Sequence, residues 1–293
     1  MAKPAAATVQ QVLDGAGARR LNHCHLNQDL SLALWGNRGV RVHYHQVAHH
    51  TLSLYLRGGY RTRRLDGRHS DRSFAFGAPN KLCLMPATHD SEWEVGDYQE
   101  FVHLYISDAA LRHFALESFD CDPRRVELPD LTFFEHPQIS AACRALLRTP
   151  WADGGERLQL QQGAYELMGQ LIASYVKPSG AAGPLRGGLS RRQCNRVREL
   201  IRAQFGEPLN LDFLAEAAGL SRFHFARMFK VSTGLTPHQY VNKVRVERGR
   251  EMLGLGLSQA EVSANCGFAH QSHFAAHFKR HFGVTPGQYL RSL

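Results

Sequence analysis

The chain has 293 residues, of which 43% are hydrophobic and 21% are charged. This composition is typical of a folded globular protein and excludes a disordered, collagen-like or coiled-coil chain. The sequence contains no run of eighteen apolar residues, and its first residues lack the apolar core of a signal peptide, so we expect a cytoplasmic protein without a membrane partner.

The net charge of +9 is confined to the C-terminal part of the chain. Residues 1–185 contain 19 basic and 19 acidic residues, whereas residues 186–293 contain 16 and 7. This asymmetry predicts two domains and a polyanionic partner for the second, because basic side chains that neutralise phosphates release counterions. Nucleic acid is the preferred partner, and an anionic membrane surface is the alternative.

Residues 30–106 contain short runs in which every second residue is apolar, separated by turn residues such as Gly36, Gly58 and Gly96. A period of two is typical of strands, so we predict a small antiparallel barrel or sandwich. The interior of such a fold is a natural ligand cavity. The runs are Val40/Val42/Tyr44, Leu52/Leu54/Leu56, Leu82/Leu84 and Val102/Leu104/Ile106.

Two helical patterns follow the strands, one near residues 139–147 and a longer one near residues 157–176. The apolar stripe of the longer helix suits either a homodimer interface or a cover for the barrel, and the pattern does not distinguish the two. Residues 178–189 are rich in glycine and proline and predict a flexible linker. We therefore predict an N-terminal domain over residues 1–177 and a C-terminal domain over residues 190–293.

The basic half contains an internal repeat with an offset of 49 residues. Residues 224–240 and 273–289 are identical at ten of seventeen positions, whereas unrelated segments match at about one. Each copy reads as a helix, a glycine turn (Gly219 or Gly267) and a second helix, the arrangement that presents its second helix to the major groove of DNA. A single helix over residues 237–253, begun by Thr236 and Pro237, separates the copies.

The outward face of the second helix in each copy is the candidate DNA-binding surface, because the apolar stripe of Phe225, Met228 and Phe229 faces inward. Arginine pairs with guanine and glutamine with adenine, so Arg227 and Gln271 are the leading base readers, while Lys230 and Lys279 suit phosphates. The candidate residues are Arg222, Phe223, Ala226, Arg227 and Lys230 in the first copy and Gln271, Ser272, Ala275 and Lys279 in the second.

These residues carry a resemblance to a known family. Residues 190–293 resemble the DNA-binding domain of AraC family transcriptional regulators, which implies seven helices with two helix-turn-helix units. The second copy departs from the family pattern at Gln259, Ser263 and Ala276, which favours phosphate anchoring over base reading there. The matching segments are Leu211–Ser221, His224–Lys230, Gly234–Pro237, Cys266–Phe268, Ser272–Phe274, Phe278–Lys279 and Gly283–Pro286.

The N-terminal half more loosely resembles the cupin-like sensor domain of the same family, through Arg64–Arg68, Gly77, Leu84–Pro86 and Trp93. The resemblance implies a domain that binds a small-molecule effector, forms a homodimer, or both. Its candidate effector-binding residues are His43, His45, Tyr55 and His89. The fold class is thus α+β with two domains, a cupin-like antiparallel β-barrel with helices followed by an all-α domain.

The sequence predicts a DNA-binding transcriptional regulator that acts as an activator or, alternatively, as a repressor. It predicts no catalytic role, no cofactor and no metal. One alternative is a metal-dependent cupin enzyme, because His43 and His45 share one strand face and His49 and His89 lie near in sequence. No glutamate follows at the usual cupin interval. The second alternative is an enzyme that repairs or modifies DNA, but neither a reactive cysteine motif nor an acid pair supports it.

Overall fold

The computed structural model describes residues 8–66, 76–119, 121–152, 156–176 and 187–291. The chain forms two compact units, of which the first comprises Met1–Thr149 and Gly163–Ala182 and the second Pro150–Gln162 and Gly183–Leu293. The first unit is a mixed α/β structure and the second is helical, so the predicted two-domain α+β architecture is confirmed. Relative to the predicted boundaries, residues 150–162 join the second unit. Most of the predicted linker lies outside the described residues.

The strands of the first unit form two antiparallel sheets. In chain order the described strands are β1 (Arg19–His25), β2 (Leu30–Asn37), β3 (Val40–Tyr44), β4 (His49–Arg57), β5 (Thr62–Arg64), β6 (Leu82–Met85), β7 (Ser91–Val95), β8 (Gln99–Ser107) and β9 (Leu131–Phe134). One sheet has the order β1-β2-β8-β4-β6-β9 and the other β3-β7-β5. No pairing among these described strands joins the sheets, so the predicted closed barrel is corrected to two separate sheets.

Both faces of the six-stranded sheet are buried. In β4, Leu52 and Leu54 alternate with Ser53 and Tyr55, and each of the four is at most 5% exposed. Tyr55 belongs to a core cluster shared by both sheets, and because successive strand side chains point to opposite faces, the leucines lie on the other face. The cluster includes Ala33, Trp35, Val42, Tyr44, Cys83, Met85, Trp93, Phe101, Tyr105 and Phe133.

Four α-helices of the described chain accompany these sheets: α1 (Val9–Gly15), α2 (Asp108–Phe119), α3 (Pro137–Arg148) and α4 (Arg157–Tyr175). In the part of α4 that belongs to the first unit, Leu167, Met168 and Leu171 have no exposed surface. The ring of Tyr165 stacks on Phe114 of α2, with centroids 6.5 Å apart. The apolar stripe of α4 is buried within a single chain, which favours the covering role over the dimer interface.

A buried ion cluster ties β5 to the segment before β9. The side chain of Arg64 has no exposed surface and contacts Asp66 at 2.7 Å and Asp130 at 2.6 Å. Its guanidinium also lies 5.7 Å from the centroid of the Trp93 ring. Two carboxylates therefore compensate one buried cation, as burial of a charge requires.

Seven helices make up the described part of the second unit at residues 187–291, as the family resemblance implied. They are α5 (Arg191–Ala203), α6 (Leu211–Ala218), α7 (Arg222–Thr233), α8 (Pro237–Gly254), α9 (Gln259–Asn265), α10 (Gln271–Phe282) and α11 (Pro286–Arg291). The predicted connector is α8, and its N-cap Thr236 and first residue Pro237 are confirmed. Thr236 accepts a hydrogen bond from the backbone of Gln239, whose side chain accepts one in return.

The repeat is also visible in the packing. Phe225 and Phe229 have ring centroids 5.4 Å apart, and the equivalent Phe274 and Phe278 are 5.5 Å apart. All four rings are fully buried. The second helix of each copy, α7 or α10, ends at a left-handed glycine, Gly234 or Gly283 respectively. Equivalent sequence positions therefore perform equivalent packing and helix-ending roles.

Candidate nucleic-acid interface

The first candidate surface lies on α7. Ser221 caps the helix by accepting a hydrogen bond from the backbone of His224, and Phe225, Met228 and Phe229 are buried beneath it. This packing turns the opposite side outward: Lys230 is exposed, and Ala226 and Arg227 are half-buried. The predicted contacts at these three positions therefore lie on one accessible face.

Arg222 lies at the start of α7 and makes defined contacts within the unit. Its Nη1 lies 3.2 Å from Oδ1 of Asp212 in α6, and its guanidinium lies 5.6 Å from the centroid of the Phe223 ring. Only 19% of its side chain is exposed. Because a DNA contact would compete with the ion pair, we expect Arg222 to position α6 and α7 as much as it contacts DNA.

The structure corrects the assignment of Phe223 as a DNA contact. This residue is 4% exposed, so its ring is part of the interior of the unit. The sequence pattern placed it outward because Phe225 and Phe229 define the inward stripe. An aromatic ring at the start of a helix can instead pack back onto the preceding turn, which periodicity alone does not capture.

The second candidate surface lies on α10. Gln271, Ser272 and Lys279 are exposed, and Ala275 is half-buried. Gln271 Nε2 donates a hydrogen bond to Oε1 of Gln259 at 3.3 Å, so the unusual glutamine of α9 contacts the predicted base reader directly. Lys279 lies in the last turn of α10, as Lys230 does in α7. The two helices thus present a matched lysine and different candidate base-contacting side chains.

The connector α8 carries basic residues with different roles. Arg248 pairs with Glu251 at 2.8 Å and Lys243 approaches Glu247 at 4.0 Å, both at the surface. Arg245 is 2% exposed and donates hydrogen bonds to the backbone carbonyls of Phe205 and Glu207 at 2.8 and 2.9 Å. It therefore joins α8 to the segment between α5 and α6.

The predicted effector residues do not converge. A cavity of about 30 Å³ lies among the described residues of the first unit, and Tyr55 is in its wall whereas His43, His45 and His89 are not. His43 is exposed on β3, and His45 is exposed just after the end of β3, where it pairs with Asp90 at 2.8 Å. His89 is buried, with its two ring nitrogens on the carbonyl of Pro86 and the hydroxyl of Ser91 at 2.7 and 3.0 Å.

His103 lies in the wall of this cavity, although the sequence pattern did not single it out. His103 is 2% exposed, and burial lowers its pKa to about 3, so its imidazole is neutral at pH 7. Its Nδ1 contacts the hydroxyl of Tyr105 at 3.0 Å. The alternation of Val102, Leu104 and Ile106 already placed His103 on the opposite face of β8. That opposite face is the one that lines the cavity.

A second missed cluster lies in the second unit. Among the described residues, the one group of three potential metal ligands whose donor atoms lie within 4.8 Å of one another is Glu156, His273 and His277. His273 and His277 are one helical turn apart in α10, a spacing the sequence displays. Glu156 comes from the segment before α4, which no local pattern connects with α10.

The protonation states of this cluster follow from burial. Burial lowers the pKa of His277 and of the neighbouring His238 to about 4, so both imidazoles are neutral at pH 7. Burial would raise the pKa of the Glu156 carboxyl, but the hydrogen bond from His273 and the nearby histidines bring it below its usual value. Glu156 is therefore an anion among imidazoles.

One comparison with known proteins locates its match within the helical unit. A family model described as a helix-turn-helix domain matches residues 214–292. An uncharacterized regulator of Bacillus subtilis, YbfI, is 33% identical over 77 residues, covering 26% of this chain and 28% of that protein. The regulator MtrA of Neisseria gonorrhoeae is 38% identical over 93 residues, covering 30% and 31%.

Among solved structures, the C-terminal domain of AraT, a response regulator from Geobacillus stearothermophilus, is 31% identical. The alignment covers 36% of this chain and 88% of that one, with a TM-score of 0.34. The chain spans less than half the length of these curated relatives, 28% of YbfI and 31% of MtrA. No helix in the described part of the chain is long and apolar enough to cross a membrane.

Proposed function

We propose that the chain is a sequence-specific transcriptional regulator of the AraC type, because residues 214–292 match a helix-turn-helix family model and residues 190–293 resemble the DNA-binding domain of that family. The observation that carries the proposal is the pair of helix-turn-helix units, each with its apolar side buried and an accessible polar side on its second helix. The basic balance of residues 186–293 supplies the attraction to phosphates.

The connector α8 sets the distance between the two reading helices. Its 18 residues correspond to a rod about 27 Å long. Successive major-groove faces on one side of a duplex lie about 34 Å apart, so α7 and α10 suit adjacent grooves of a slightly bent site. A single chain would then read two half-sites that differ in sequence, because the outward residues of the two helices differ.

Within this arrangement the side chains have separate roles. Arg227 is assigned to a guanine and Gln271 to an adenine, each through a pair of hydrogen bonds. Lys230 and Lys279 are assigned to phosphates, and Ala226, Ser272 and Ala275 to close contact with the groove. Arg222 orients α7 through Asp212 and adds a phosphate contact at the rim.

The proposed role of the first unit is to sense an effector or to pair two chains, as the resemblance to a cupin-like sensor domain implies. The cavity of about 30 Å³ accommodates a water-sized group, so a larger effector requires its walls to move apart. Tyr55 and His103 are among the polar residues of its wall. An effector acts on DNA binding only through a difference in its affinity for two arrangements of the chain.

Selection of bound duplexes from a random library, followed by fluorescence anisotropy on the selected and a scrambled duplex, tests the DNA-binding proposal. We expect Arg227→Ala to reduce the preference for the selected duplex by about 1–3 kcal/mol, or roughly 5-fold to 150-fold. Lys279→Ala should weaken both duplexes alike and reduce the slope of log affinity against log salt by about 0.9.

Arg124→Ala is the matched control, since it removes an exposed arginine of the first unit that pairs with Asp122. Its binding should equal that of the wild type on both duplexes. Recovery of no enriched sequence, or an Arg227→Ala protein with undiminished preference, would refute sequence reading by α7.

A further inference from the structure

Three donor atoms from two distant parts of the chain converge inside the second unit. Nε2 of His273 lies 3.0 Å from Oε1 of Glu156 and 2.9 Å from Nε2 of His277. Glu156 is 3% exposed, and the ring of Phe268 lies against both histidines, with centroid distances of 5.6 and 5.7 Å. The cluster is therefore shielded from solvent on the side of Glu156 and Phe268.

Hydrogen bonds alone leave one of these contacts unsatisfied. Each imidazole nitrogen has a single site in the ring plane, which holds either a proton or a lone pair. If Nε2 of His273 donates its proton to Glu156, it has no lone pair to accept a proton from His277. If it accepts from His277, its lone pair faces the lone pairs of the carboxylate. A cation between the three atoms would satisfy all of them at once.

The negative charge of Glu156 also favours a bound cation. Within the described part of the chain, the carboxylate of Glu156 contacts the imidazoles of His238, at 3.5 Å, and of His273, at 3.0 Å, and the neutral His238 brings no positive charge to it. His238 is buried as well, and its Nε2 also contacts the amide nitrogen of Asn242 at 2.8 Å. A buried carboxylate is costly unless a full positive charge compensates it.

We propose that Glu156, His273 and His277 bind a divalent transition-metal ion, with Zn²⁺ as the ion that matches these donors. Zinc prefers imidazole nitrogen and carboxylate oxygen in tetrahedral geometry, with bonds of about 2.0–2.1 Å. Two ligands on such a tetrahedron are about 3.3 Å apart, so the two contacts of His273, at 2.9 and 3.0 Å, need to open by a few tenths of an ångström. The third pair, Glu156 and His277, lies within 4.8 Å and adjusts to the same spacing.

An entry path and a fourth ligand position are available. A surface pocket of about 420 Å³ has His238 and His277 in its wall, together with Asn242. Water from this pocket completes the tetrahedron, and His238 lies beside the second oxygen of Glu156 and orients that carboxylate. The site thus has ligands, a supporting contact and access from solvent.

The ion would join the segment before α4 to the reading helix of the second helix-turn-helix unit. The start of α4, which follows Glu156, also contacts α6 of the same unit, where Gln161 Oε1 accepts a hydrogen bond from the backbone of Leu211 at 2.9 Å. Metal binding would therefore fix α10 relative to α6 through residues 156–161. The metal site stands on its own geometry and does not depend on the DNA-binding proposal.

The test uses the full chain after removal of metal with a chelator. Zn²⁺ is titrated in competition with a chromophoric chelator, and Co²⁺ is added separately for its visible spectrum. We expect one tight site per chain, an intense Co²⁺ spectrum of the tetrahedral kind, and a higher melting temperature with Zn²⁺. His277→Gln and Glu156→Gln should each weaken binding at least about 100-fold.

His281→Gln is the matched control, because it removes another histidine of α10 that lies outside the cluster and pairs with Glu247 at 3.7 Å. It should bind Zn²⁺ within about twofold of the wild type, which separates the site from weak binding by the other histidines of the chain. Absence of a tight site in the wild type, or equal affinity in wild type and both ligand variants, overturns the proposal. If a ligand variant loses helical circular dichroism, the wild-type Co²⁺ spectrum decides, and a weak octahedral spectrum overturns the site.

Discussion

Replacement of Gly267 by alanine should destabilise the second helix-turn-helix unit far more than the same change at the equivalent turn of the first. Both turn glycines have left-handed backbones, with φ of 71° at Gly267 and 64° at Gly219. A Cβ at Gly267 would lie 2.5 Å from the carbonyl oxygen of Gly206 and 2.9 Å from Nη2 of Arg245, whereas a Cβ at Gly219 meets nothing within 4 Å.

The magnitude follows from two contributions. The left-handed backbone costs an alanine about 1–2 kcal/mol at either position. At Gly267 the close contact adds about 1–3 kcal/mol of overpacking, since the Gly206 carbonyl is backbone and the Arg245 guanidinium is held by two hydrogen bonds. We expect about 1–2 kcal/mol for Gly219→Ala and about 2–5 kcal/mol for Gly267→Ala.

Hydrogen exchange of the full chain, read by mass spectrometry on peptides from α6–α7 and from α9–α10, measures each unit separately. The additional destabilisation of about 1–3 kcal/mol expected for Gly267→Ala corresponds to a roughly 5-fold to 150-fold larger acceleration of exchange. The acceleration in α9–α10 caused by Gly267→Ala should exceed that in α6–α7 caused by Gly219→Ala by this factor. Equal effects of the two substitutions would show that the segment at Gly206 yields without cost, and the close-contact argument would be wrong.

Two further predictions concern the first unit. Arg64→Met leaves the carboxylates of Asp66 and Asp130 without their buried partner and should lower the free energy of unfolding, measured by urea denaturation, by about 3–5 kcal/mol. Arg63→Met is the control: it breaks an exposed ion pair with Glu94 and should lower that free energy by less than about 1 kcal/mol. The pKa of His103 is lowered to about 3 by burial, so the unfolded chain binds a proton that the folded chain does not, and stability should fall as the pH drops from about 6.5 towards 3. His103→Gln should flatten this part of the stability curve, and an unchanged acid slope in the variant would contradict the assignment.

In the two sheets of the first unit, sequence patterns predicted the positions of strands but not which of their faces are buried. Alternation located β3, β4, β6 and β8 correctly, because strand side chains alternate locally. It did not reveal that β4 and β8 are buried on both faces, since that depends on helices distant in sequence. For the same reason, sequence patterns did not identify His103 as a cavity residue. They grouped His43 and His45 with Tyr55, although of these three only Tyr55 lies at the cavity.

In the helical unit, the sequence alone determined the repeat, the helix starts and ends, and the outward positions of Arg227, Lys230, Gln271 and Lys279. These features depend on helical period, capping groups and glycine turns, which act over a few neighbouring residues. Only the tertiary structure decided that Phe223 is buried and that Glu156 meets two histidines of α10. Glu156 is more than a hundred residues from the two histidines, and both features depend on packing of the whole unit.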